Sequence, residues 1–426
     1  MRPINSARRL ALEVVRRVTD EGAFSNVVLP ALLGRSALRS ADRELATELS
    51  YGTLRRLLPI DHALGPYLNK PLDAAPPRAR AALRVGAYQL LFTRIPDHAA
   101  VTETVGLVST SERGFVNAVL RRLAAEGARW PTGLSADAVA ARVGLAPWAV
   151  RELRRLLGDR AEEAAAALAD QAALTLRANR CRTTVEHLEE RLRSGGHDPD
   201  RGRIHPGSLR LRRGRPEAFP GFREGWFAVQ DEASSWVVDV LDPQPEERIV
   251  DVCAAPGGKA ADIACRAWSV VAADVSVQRI GLVAETASRL GVRMLLLSQD
   301  AARPAVREGV NRVLVDAPCS GIGAARRRPE LLWRPRRSDL RSLARLQTRI
   351  AAGAASLLRP GGVLVYSVCT FPSVETGGVC RALVERVPDL RPDPFPGPDG
   401  ETVTEARLWP HLHGTDAMFV ARFRRK

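Results

Sequence analysis

From about residue 232 onwards, short runs of β-branched residues alternate with segments of helical length, and this rhythm restricts the fold more than any other feature. The candidate strands are 248–253, 269–274, 292–297, 312–316 and 363–369. The candidate helices lie near 259–267, 276–290, 338–358 and 373–386. Strands joined by helices form a parallel, doubly wound α/β sheet. We expect a last strand over 417–423 at the edge of that sheet, and ligands at the carboxyl ends of the strands.

The first 130 residues have the pattern of a helical domain. Apolar residues recur at helical spacing from Ala7 to Val18, with arginines on the opposite side. Further helical patterns cover 42–58, 78–94, 98–109 and 113–126, and glycine or proline turns separate them. No convincing strand precedes residue 130. We therefore predict an all-α domain over residues 1–130 and an α/β domain over residues 232–426.

A smaller α+β module is predicted between these two domains, over residues 136–231, after a linker at 131–135. Helical patterns at 147–157, 159–170 and 184–194 accompany an alternating strand at 174–179 and weaker strands near 208–212 and 226–229. The module is rich in arginine, at Arg201, Arg203, Arg210, Arg212, Arg213, Arg215 and Arg223. Its position and charge predict a basic bridge between two larger units.

The net charge of +15 points to a polyanionic partner. Of the 63 basic residues only Lys70, Lys259 and Lys426 are lysines. A genome-wide preference for arginine codons explains that ratio, but it does not explain the excess of positive over negative charge. Arginine pairs with phosphate oxygens and stacks on bases, which favours nucleic acid over a membrane surface.

The N-terminus and the hydropathy pattern predict a cytoplasmic protein. Arginines interrupt every apolar run at the N-terminus, which is unlike a secretory signal. No run of about 18 apolar residues argues for a transmembrane helix. The six cysteines contain no C-x-x-C pair and have no histidine cluster nearby, so we predict no metal site. We expect reduced thiols, each either a small buried side chain or a reactive group.

The first candidate strand of the α/β domain ends in a turn of small residues that precedes a helix. The turn consists of Cys253, Ala254, Ala255, Pro256, Gly257, Gly258 and Lys259. Small residues let a ligand approach backbone N–H groups closely. The pattern is neither G-x-G-x-x-G nor G-x-x-x-x-G-K-[ST], which weakens a phosphate-binding interpretation. We predict a ligand-binding loop, with an ordinary tight turn as the alternative.

Two acidic residues follow the next two candidate strands. Asp274 closes the second strand, where a carboxylate accepts hydrogen bonds from the two ribose hydroxyls of a nucleoside. Asp300 closes the third, where a carboxylate meets an adenine amino group. The alternatives are a helix N-cap for Asp274 and an ordinary loop position for Asp300. Their places on successive strand ends favour ligand binding.

The fourth and fifth candidate strands each end in a cysteine. Asp316 and Cys319 follow the fourth strand, and Cys369 ends the fifth. A thiol is a useful nucleophile because its thiolate forms at modest cost. The alternatives are two buried structural thiols or, less favoured, a disulfide. Both cysteines lie at ligand-binding ends, which favours a catalytic role.

The sequence resembles a known family at these motifs. DVCAAPGGK, DAPCSG and YSVCT resemble the RNA cytosine-5 methyltransferases of the NOL1/NOP2/Sun type. LSYGTLR, LRVGAYQLL and FVNAVLR in the N-terminal region resemble a NusB-like RNA-binding domain. The combination is similar to bacterial enzymes that methylate small-subunit rRNA, and the resemblance covers nearly the whole chain. It implies three parts: an all-α NusB-like domain, a small α+β bridging module and a C-terminal α/β Rossmann-like class I methyltransferase domain.

The resemblance also implies the cofactor, the partner and the residue roles. S-adenosylmethionine is the implied methyl donor, and the loop from Cys253 to Lys259 is implied to bind it. Asp274 is implied to hold its ribose, Asp300 its adenine, and Asp316 is implied to lie near the reacting centre. Cys369 is the implied nucleophile and Cys319 the cysteine that assists release. The implied substrate is C5 of a cytosine in small-subunit rRNA, with no metal, no membrane and no obligate protein partner.

The chain departs from the family pattern in two places. The family often has acidic residues and an asparagine after YSxCT, whereas this chain reads FPSVETG, which leaves a role for that stretch in doubt. A hydroxyl residue commonly follows the lysine of the loop, whereas this chain has Ala260. The segment from Arg326 to Trp333 resembles the family's substrate-side loop, with a solvated basic loop as the alternative.

Two other functions were weighed against this one. Methyltransferases acting on exocyclic nitrogens usually have an N/D-P-P-Y/F/W segment where this chain has Asp316-Ala317-Pro318-Cys319, and they need no thiol. A non-catalytic RNA-binding or antitermination factor would use the helical domain, but it leaves both cysteines and the small-residue loop unexplained.

Overall fold

The computed structural model describes residues 6–212 and 214–426. Arg213, one of the arginines of the predicted basic bridge, and residues 1–5 of the predicted helical domain lie outside the described residues. The chain forms two compact units. The first runs to Asp170 and also contains Ala325–Pro335, and the second contains Gln171–Ala324 and Arg336–Lys426. We call them the helical unit and the sheet unit.

Amphipathic helices form the helical unit. They are α1 (Ala7–Asp20), α2 (Ser25–Gly34), α3 (Ser40–Arg55), α4 (Leu57–Leu64), α5 (Pro77–Phe92), α6 (Asp97–Val105), α7 (Thr110–Glu126), α8 (Ala136–Val143), α9 (Pro147–Leu157) and α10 (Ala161–Ala169). Helix α1 buries the apolar face that its spacing predicts, from Ala7 to Val18. The first strand among the described residues begins at Leu174, in agreement with the all-α prediction.

The sheet unit begins with a small antiparallel sheet backed by one helix. Its elements are β1 (Leu174–Ala178), α11 (Val185–Ser194), β2 (Asp200–Arg201), β3 (Ser208–Leu211) and β4 (Phe227–Val229). The strand order is β2-β3-β1-β4. Phe227, Leu176 and Leu209 are buried between this sheet and α11. The weak strand patterns near 208–212 and 226–229 are therefore real strands.

The remainder of the sheet unit is a large mixed sheet with helices between its strands. Its first part contains α12 (Glu232–Leu241), β5 (Arg248–Asp251), α13 (Gly258–Ala264), β6 (Ser269–Asp274), α14 (Val277–Leu290), β7 (Leu295–Ser298), β8 (Val310–Asp316), α15 (Leu340–Ser356) and β9 (Leu358–Val368). The chain continues through α16 (Gly377–Arg386), β10 (Leu390–Pro392), β11 (Phe395–Pro396), β12 (Thr402–Val403), β13 (Glu405–Leu408), α17 (Pro410–His413) and β14 (Met418–Arg425). Strands β11 and β12 form a separate two-stranded sheet. The strand order of the large sheet is β10-β14-β9-β8-β5-β6-β7, with β13 also paired to β14.

Pairing within the large sheet explains where a ligand site forms. Strands β7, β6, β5, β8 and β9 are parallel, so their carboxyl ends meet at one edge. Strand β14 is antiparallel to β9. The predicted doubly wound sheet is therefore confirmed, but the prediction that the last strand caps the edge is wrong. β14 pairs with β10 and β13 beyond it, and these short strands lack a periodic pattern long enough to detect.

The state of the cysteines also differs from expectation. Cys181 and Cys265 form a disulfide, with Cα atoms 5.5 Å apart. The expectation that every thiol is reduced is therefore wrong for this pair. Cys253, Cys319, Cys369 and Cys380 are not part of a disulfide. Within the part of the chain that the structure describes, no helix is long and apolar enough to cross a membrane.

Candidate active site

The predicted small-residue loop lies between β5 and α13 at the carboxyl edge of the large sheet. Gly257 has a φ of +106°, and a Cβ there would lie 3.2 Å from atoms of Val283 and Thr286 in α14. Only glycine combines this conformation with so close an approach. The backbone N–H of Ala254 donates to the Ala273 carbonyl of β6. The loop is therefore fixed against the neighbouring strand and helix.

Asp274 faces this loop from the end of β6. It is buried, and Oδ2 accepts a long hydrogen bond of 3.4 Å from the Ala255 N–H. Arg279 lies 3.2 Å from the same carboxylate. The alternative role as helix N-cap is wrong, because Ser276 caps α14 through its side chain. Asp300 lies just beyond β7, is exposed, and accepts from the Ala302 N–H at 2.9 Å.

Lys259 and Asp316 form an ion pair that joins the loop to the end of β8. Lys259 Nζ lies 2.7 Å from Asp316 Oδ2, and Ser367 Oγ donates to Asp316 Oδ1 at 2.9 Å. Burial alone lowers the pKa of Lys259, but the charge of Asp316 outweighs it and the pKa is raised. Lys259 is therefore a charged ammonium. The sequence placed it in the loop but did not indicate this pairing.

Cys319 and Cys369 come together, as their positions at strand ends predict. Their Sγ atoms lie 3.5 Å apart, a hydrogen-bond contact rather than a disulfide. They follow β8 and β9, which pair in parallel with Asp316 opposite Ser367. The hydrogen bond with Cys369, and next burial, raises the pKa of the Cys319 thiol well above its ordinary value. Cys319 is therefore a neutral thiol at neutral pH.

A buried carboxylate that the sequence left in doubt holds both cysteine loops. Glu375 accepts hydrogen bonds from Ser320 N–H at 2.9 Å and Ser320 Oγ at 2.6 Å. Thr370 Oγ1 is 3.5 Å from the same carboxylate. Since Ser320 follows Cys319 and Thr370 follows Cys369, one side chain bridges the two loops. Burial raises the pKa of Glu375. In the sequence, only its position six residues after Cys369 indicates that Glu375 lies near the site.

Helix α15 adds a second support behind the cysteines. Gln347 Nε2 donates to the Pro318 carbonyl at 2.9 Å and to Glu375 Oε1 at 3.0 Å. The Tyr366 hydroxyl donates to the Glu375 carbonyl at 2.7 Å. Gln347, Tyr366 and Glu375 are buried, so these contacts pair polar groups that would otherwise lie unsatisfied in the interior.

A buried arginine of β1 forms a hydrogen bond with the backbone of the small-residue loop. Arg177 donates to the Gly258 carbonyl at 3.1 Å and to Gln230 at 2.7 Å. Its guanidinium also lies 3.0 Å from Asp262 of α13. Arg177 is 1% exposed, so these contacts form in a water-free environment. The pattern at 174–179 predicts the strand but not this function of its arginine.

The segment from Ala325 to Pro335 belongs to the helical unit. Glu330 is fully buried and accepts from Ser25 N–H at 3.2 Å and Ser25 Oγ at 2.6 Å. The Trp333 indole donates to the Leu54 carbonyl at 3.0 Å. The alternative of a solvated basic loop is therefore wrong for residues 329–332, which are buried. Contact with a substrate stays a prediction.

A metal site requires a cluster of His, Cys, Asp or Glu side chains. Over 6–212 and 214–426, no group of three or more His, Cys, Asp or Glu side chains is placed to hold a metal ion.

Profiles of three families match successive parts of the chain. The NusB family matches residues 5–125, the ferredoxin-like domain of RsmF/B-like methyltransferases matches 146–216, and 16S rRNA methyltransferase RsmB/F matches 238–424. Together with the order of the parallel strands and the loop after β5, they define the class of protein. It is an S-adenosylmethionine-dependent methyltransferase with a Rossmann-like sheet and an N-terminal NusB-like domain.

Full-length relatives identify the family. Rv1407 of Mycobacterium tuberculosis, named as a methyltransferase candidate, is 38% identical over 100% of this chain and 97% of its own length. Ribosomal RNA small subunit methyltransferase B of Salmonella arizonae is 34% identical over 91% and 92%. The crystal structure of PH0851 is 24% identical, covers 98% of both chains with a TM-score of 0.83, and so shares the fold. The chain belongs to the RsmB family of 16S rRNA methyltransferases.

Proposed function

We propose that the protein methylates C5 of a cytosine in small-subunit rRNA through a covalent bond between Cys369 and C6 of the base. One observation carries this proposal. Two cysteines that are not joined in a disulfide lie with their sulfurs 3.5 Å apart at the ends of adjacent parallel strands, beside a carboxylate that is paired with a lysine. Methyl transfer to an exocyclic nitrogen needs no thiol. A pair of thiols suits a reaction in which one forms a bond to the ring and the other assists its loss.

Cys369 acts as the nucleophile in this scheme. Its sulfur donates an electron pair to C6, and the electrons of the C5–C6 double bond then make C5 nucleophilic. S-adenosylmethionine supplies the electrophilic methyl group that C5 takes. The Asp316 carboxylate accepts a hydrogen bond from the N4 amino group, and from N3 once N3 is protonated, and it stabilises the positive charge that develops there. Lys259 keeps Asp316 in place and stabilises the thiolate of Cys369, whose charge in turn raises the pKa of Lys259.

Cys319 removes the proton from C5 in this scheme. Its hydrogen bond with Cys369 is the largest cause of its raised pKa, and that bond is lost once Cys369 is bonded to C6. Cys319 then gives its proton to N3 of the ring and is left as a thiolate. This thiolate takes the C5 proton after methylation. The C6–sulfur bond breaks with its electron pair returning to Cys369, and the N3 proton leaves to solvent.

The residues around the loop fit the methyl donor. The positive φ of Gly257 and the small neighbouring side chains open the backbone of residues 253–259 to a ligand. We propose that this loop binds the methionine part, that the buried Asp274 binds the ribose and that Asp300 binds the adenine. Arg279 now pairs with Asp274 and is exposed, so it can yield that carboxylate to the hydroxyls.

The parts of the chain have separate roles in this proposal. The NusB-like region (1–130) and the basic bridge (136–231) dock the RNA, and the region 232–426 performs the reaction. The target base must leave its stack to reach the thiols, which suits a loop or a flipped nucleotide. We propose that the protein works in the cytoplasm without a metal or an obligate protein partner.

Replacing the nucleophile tests the reaction directly. Methyl transfer from labelled S-adenosylmethionine to small-subunit rRNA, followed by nucleoside analysis, should give 5-methylcytosine with wild type and none with Cys369→Ala. RNA binding should be retained. Cys380→Ala is the matched control, because Cys380 is a buried thiol of α16 whose pKa burial raises to about 12, and it has no role in the proposed reaction. Another labelled nucleoside, or an active Cys369→Ala variant, would refute the proposal.

Replacing the second cysteine tests the release step. Without Cys319 the C5 proton is removed slowly, so Cys319→Ala should accumulate the covalent RNA adduct. A slowly migrating gel band that resists denaturant would show it. The double variant Cys319→Ala/Cys369→Ala should give no band. Absence of the band from Cys319→Ala, with wild type active on the same RNA, would count against the role of Cys319.

A further inference from the structure

Helix α15 has a buried face and an exposed face of very different chemistry. Leu340, Gln347, Ile350 and small alanines face the interior. The exposed face carries three arginines spaced four residues apart, Arg341, Arg345 and Arg349. We call these three residues the arginine ladder. Four residues of helix rise about 6 Å, so the guanidinium groups start from evenly spaced points along one side of the helix.

Within the part of the chain that the structure describes, the arginine ladder has no acidic partners. Helix α15 contains no Asp or Glu, and none of the three arginines forms an ion pair with any residue in 6–212 or 214–426. The nearest acid in the sequence, Asp339, accepts from the adjacent Ser338 hydroxyl. Two further exposed arginines, Arg336 and Arg337, precede the helix. The ladder and the segment before it thus carry five exposed arginines and one exposed acid, Asp339.

Arginine-rich coding alone does not explain such a face, because some arginines in other helices of this protein pair with an acid on the same helix. In α1, Arg17 lies 2.6 Å from Glu13, and in α11, Arg193 lies 2.8 Å from Glu189. Both pairs are four residues apart, the spacing that stabilises a helix. Like charges at the same spacing destabilise a helix. The ladder repeats the unfavourable arrangement, which is understandable if a polyanion neutralises it.

The position of α15 connects the ladder with the cysteines. The helix follows the carboxyl end of β8 in the sequence and leads back to the amino end of β9, so its first turns lie toward the catalytic edge of the sheet. On its buried side, Gln347 donates to the carbonyl of Pro318, the residue before Cys319. The same helix thus supports the cysteine loop and presents the ladder to solvent.

We propose that the arginine ladder binds the phosphate backbone of the RNA strand that carries the target base. This inference rests on the proposed function only in taking RNA as the substrate. Guanidinium groups bind phosphate oxygens in pairs of hydrogen bonds. Each phosphate neutralised by an arginine releases bound counterions, so binding through the ladder must be sensitive to salt.

The test compares two triple variants of the full chain. The ladder variant carries Arg341→Gln, Arg345→Gln and Arg349→Gln. The control variant carries Arg359→Gln, Arg386→Gln and Arg391→Gln, which remove three equally exposed arginines at the amino end of the sheet. Glutamine has nearly the helix propensity of arginine, so both variants should fold. Unchanged thermal midpoints and unchanged binding of S-adenosylmethionine would verify this.

The measured quantity is the affinity for transcribed small-subunit rRNA over a series of salt concentrations. Loss of three contacts to a single strand lowers the slope of log affinity against log salt by about 2. This change corresponds to an affinity loss of ten- to a hundredfold at about 0.1 M salt. At saturating RNA the ladder variant should keep the turnover rate of wild type and show a raised KM for RNA.

Two results would overturn the inference. One is a ladder variant with the affinity and salt slope of wild type. The other is an equal loss in the control variant, which would show that only total charge matters. Binding is measured without methyl transfer, so failure of the proposed chemistry is seen separately. It would appear as a methylated nucleoside other than 5-methylcytosine from wild type.

Discussion

Glu375 holds the two cysteine loops in a fixed relation through the residues that follow Cys319 and Cys369. Four donors surround its buried carboxylate, from Ser320, Gln347 and Thr370. A misplacement of about 1 Å can lower an enzymatic rate by about a hundredfold. Glu375 is therefore a positioning residue whose loss should affect the chemical step more than donor binding.

The variant Glu375→Gln tests this role. One carboxylate oxygen becomes an NH2 group that faces donors instead of accepting from them, so the two loops should separate. We expect the single-turnover rate of methyl transfer to fall about ten- to a hundredfold, with the affinity for S-adenosylmethionine unchanged. Glu385→Gln, an exposed change on α16, is the control. An unchanged rate, or an equal loss of donor affinity, would contradict the assignment.

Asp251 gives the sheet unit a pH-dependent stability. Burial, and next the charge of Asp316, raises the pKa of Asp251 to about 7. The unfolded pKa is about 3.9. The folded state therefore holds a proton that the unfolded state has lost between about pH 4 and 7. The contribution of Asp251 to the free energy of unfolding is therefore largest below about pH 4. It declines as the pH rises from about 4 to about 7.

The variant Asp251→Asn removes this proton while keeping an oxygen for the Cys253 N–H, which donates to Asp251 at 3.2 Å. Urea unfolding from pH 4 to 8 should show a free energy of unfolding that declines less steeply in the variant. The difference between the two proteins should change by about 3–4 kcal/mol across the window. Parallel pH profiles would show that Asp251 titrates normally in the fold.

At the scale of elements, strand β1 of the small sheet supports the small-residue loop of residues 253–259 through Arg177. Asp262, the acidic partner of Arg177, is 0% exposed, so removing the guanidinium leaves a buried charge with weaker partners. Arg266 and Arg180 lie farther from Asp262, at 3.4 and 3.5 Å. The small sheet thus supports the loop that we propose binds the methyl donor, and it is not only a bridge.

Arg177→Met should weaken both stability and donor binding. We expect the free energy of unfolding to fall by about 3 kcal/mol, because Asp262 loses its closest cation. The Gly258 carbonyl also loses its donor, so the affinity for S-adenosylmethionine should fall by about tenfold. Arg180→Met is the matched control, since Arg180 pairs with the same carboxylate from an exposed position. Equal effects of the two changes would argue against a special role for Arg177.

Regular elements with a clear periodicity could be predicted from the sequence. The helix at 147–157 and the strand at 269–274 match the structure to the residue. Helix α2 was missed because Pro30 interrupts its pattern, and β7 begins later than predicted because its leucines are largely exposed at the sheet edge. Sequence spacing reports local periodicity, whereas these features depend on what packs nearby.

The candidate site divides in the same way. Cys319, Cys369 and Asp316 could be placed together because parallel strands end at a common edge. The supports from Glu375 and Arg177 could not, since a buried charge gains its partners only through tertiary packing. The position of β14 inside the sheet likewise depends on short strands that carry no periodic signal.

At the scale of the whole molecule, the chain passes between the helical unit and the sheet unit three times. The chain leaves the sheet unit after Ala324, contributes residues to the helical unit, and returns to the sheet unit at Arg336. Residues of this segment make side-chain contacts with α2, α3 and the end of α1. The helical unit is therefore completed by residues that lie close to Cys319 in the sequence.

Glu330→Gln tests whether this segment is an integral part of the helical unit. The buried carboxylate accepts from Ser25 at the start of α2, and hydrogen bonds to a charged group contribute about 1.5–3 kcal/mol. We expect the free energy of unfolding of the helical unit to fall by about 2 kcal/mol, or its thermal midpoint by about 4–8 °C in calorimetry. Glu163→Gln, which breaks an exposed ion pair with Arg160, should cost less than about 1 kcal/mol. If both variants unfold at the wild-type midpoint, the segment adds nothing to the helical unit, and its burial there is incidental to stability.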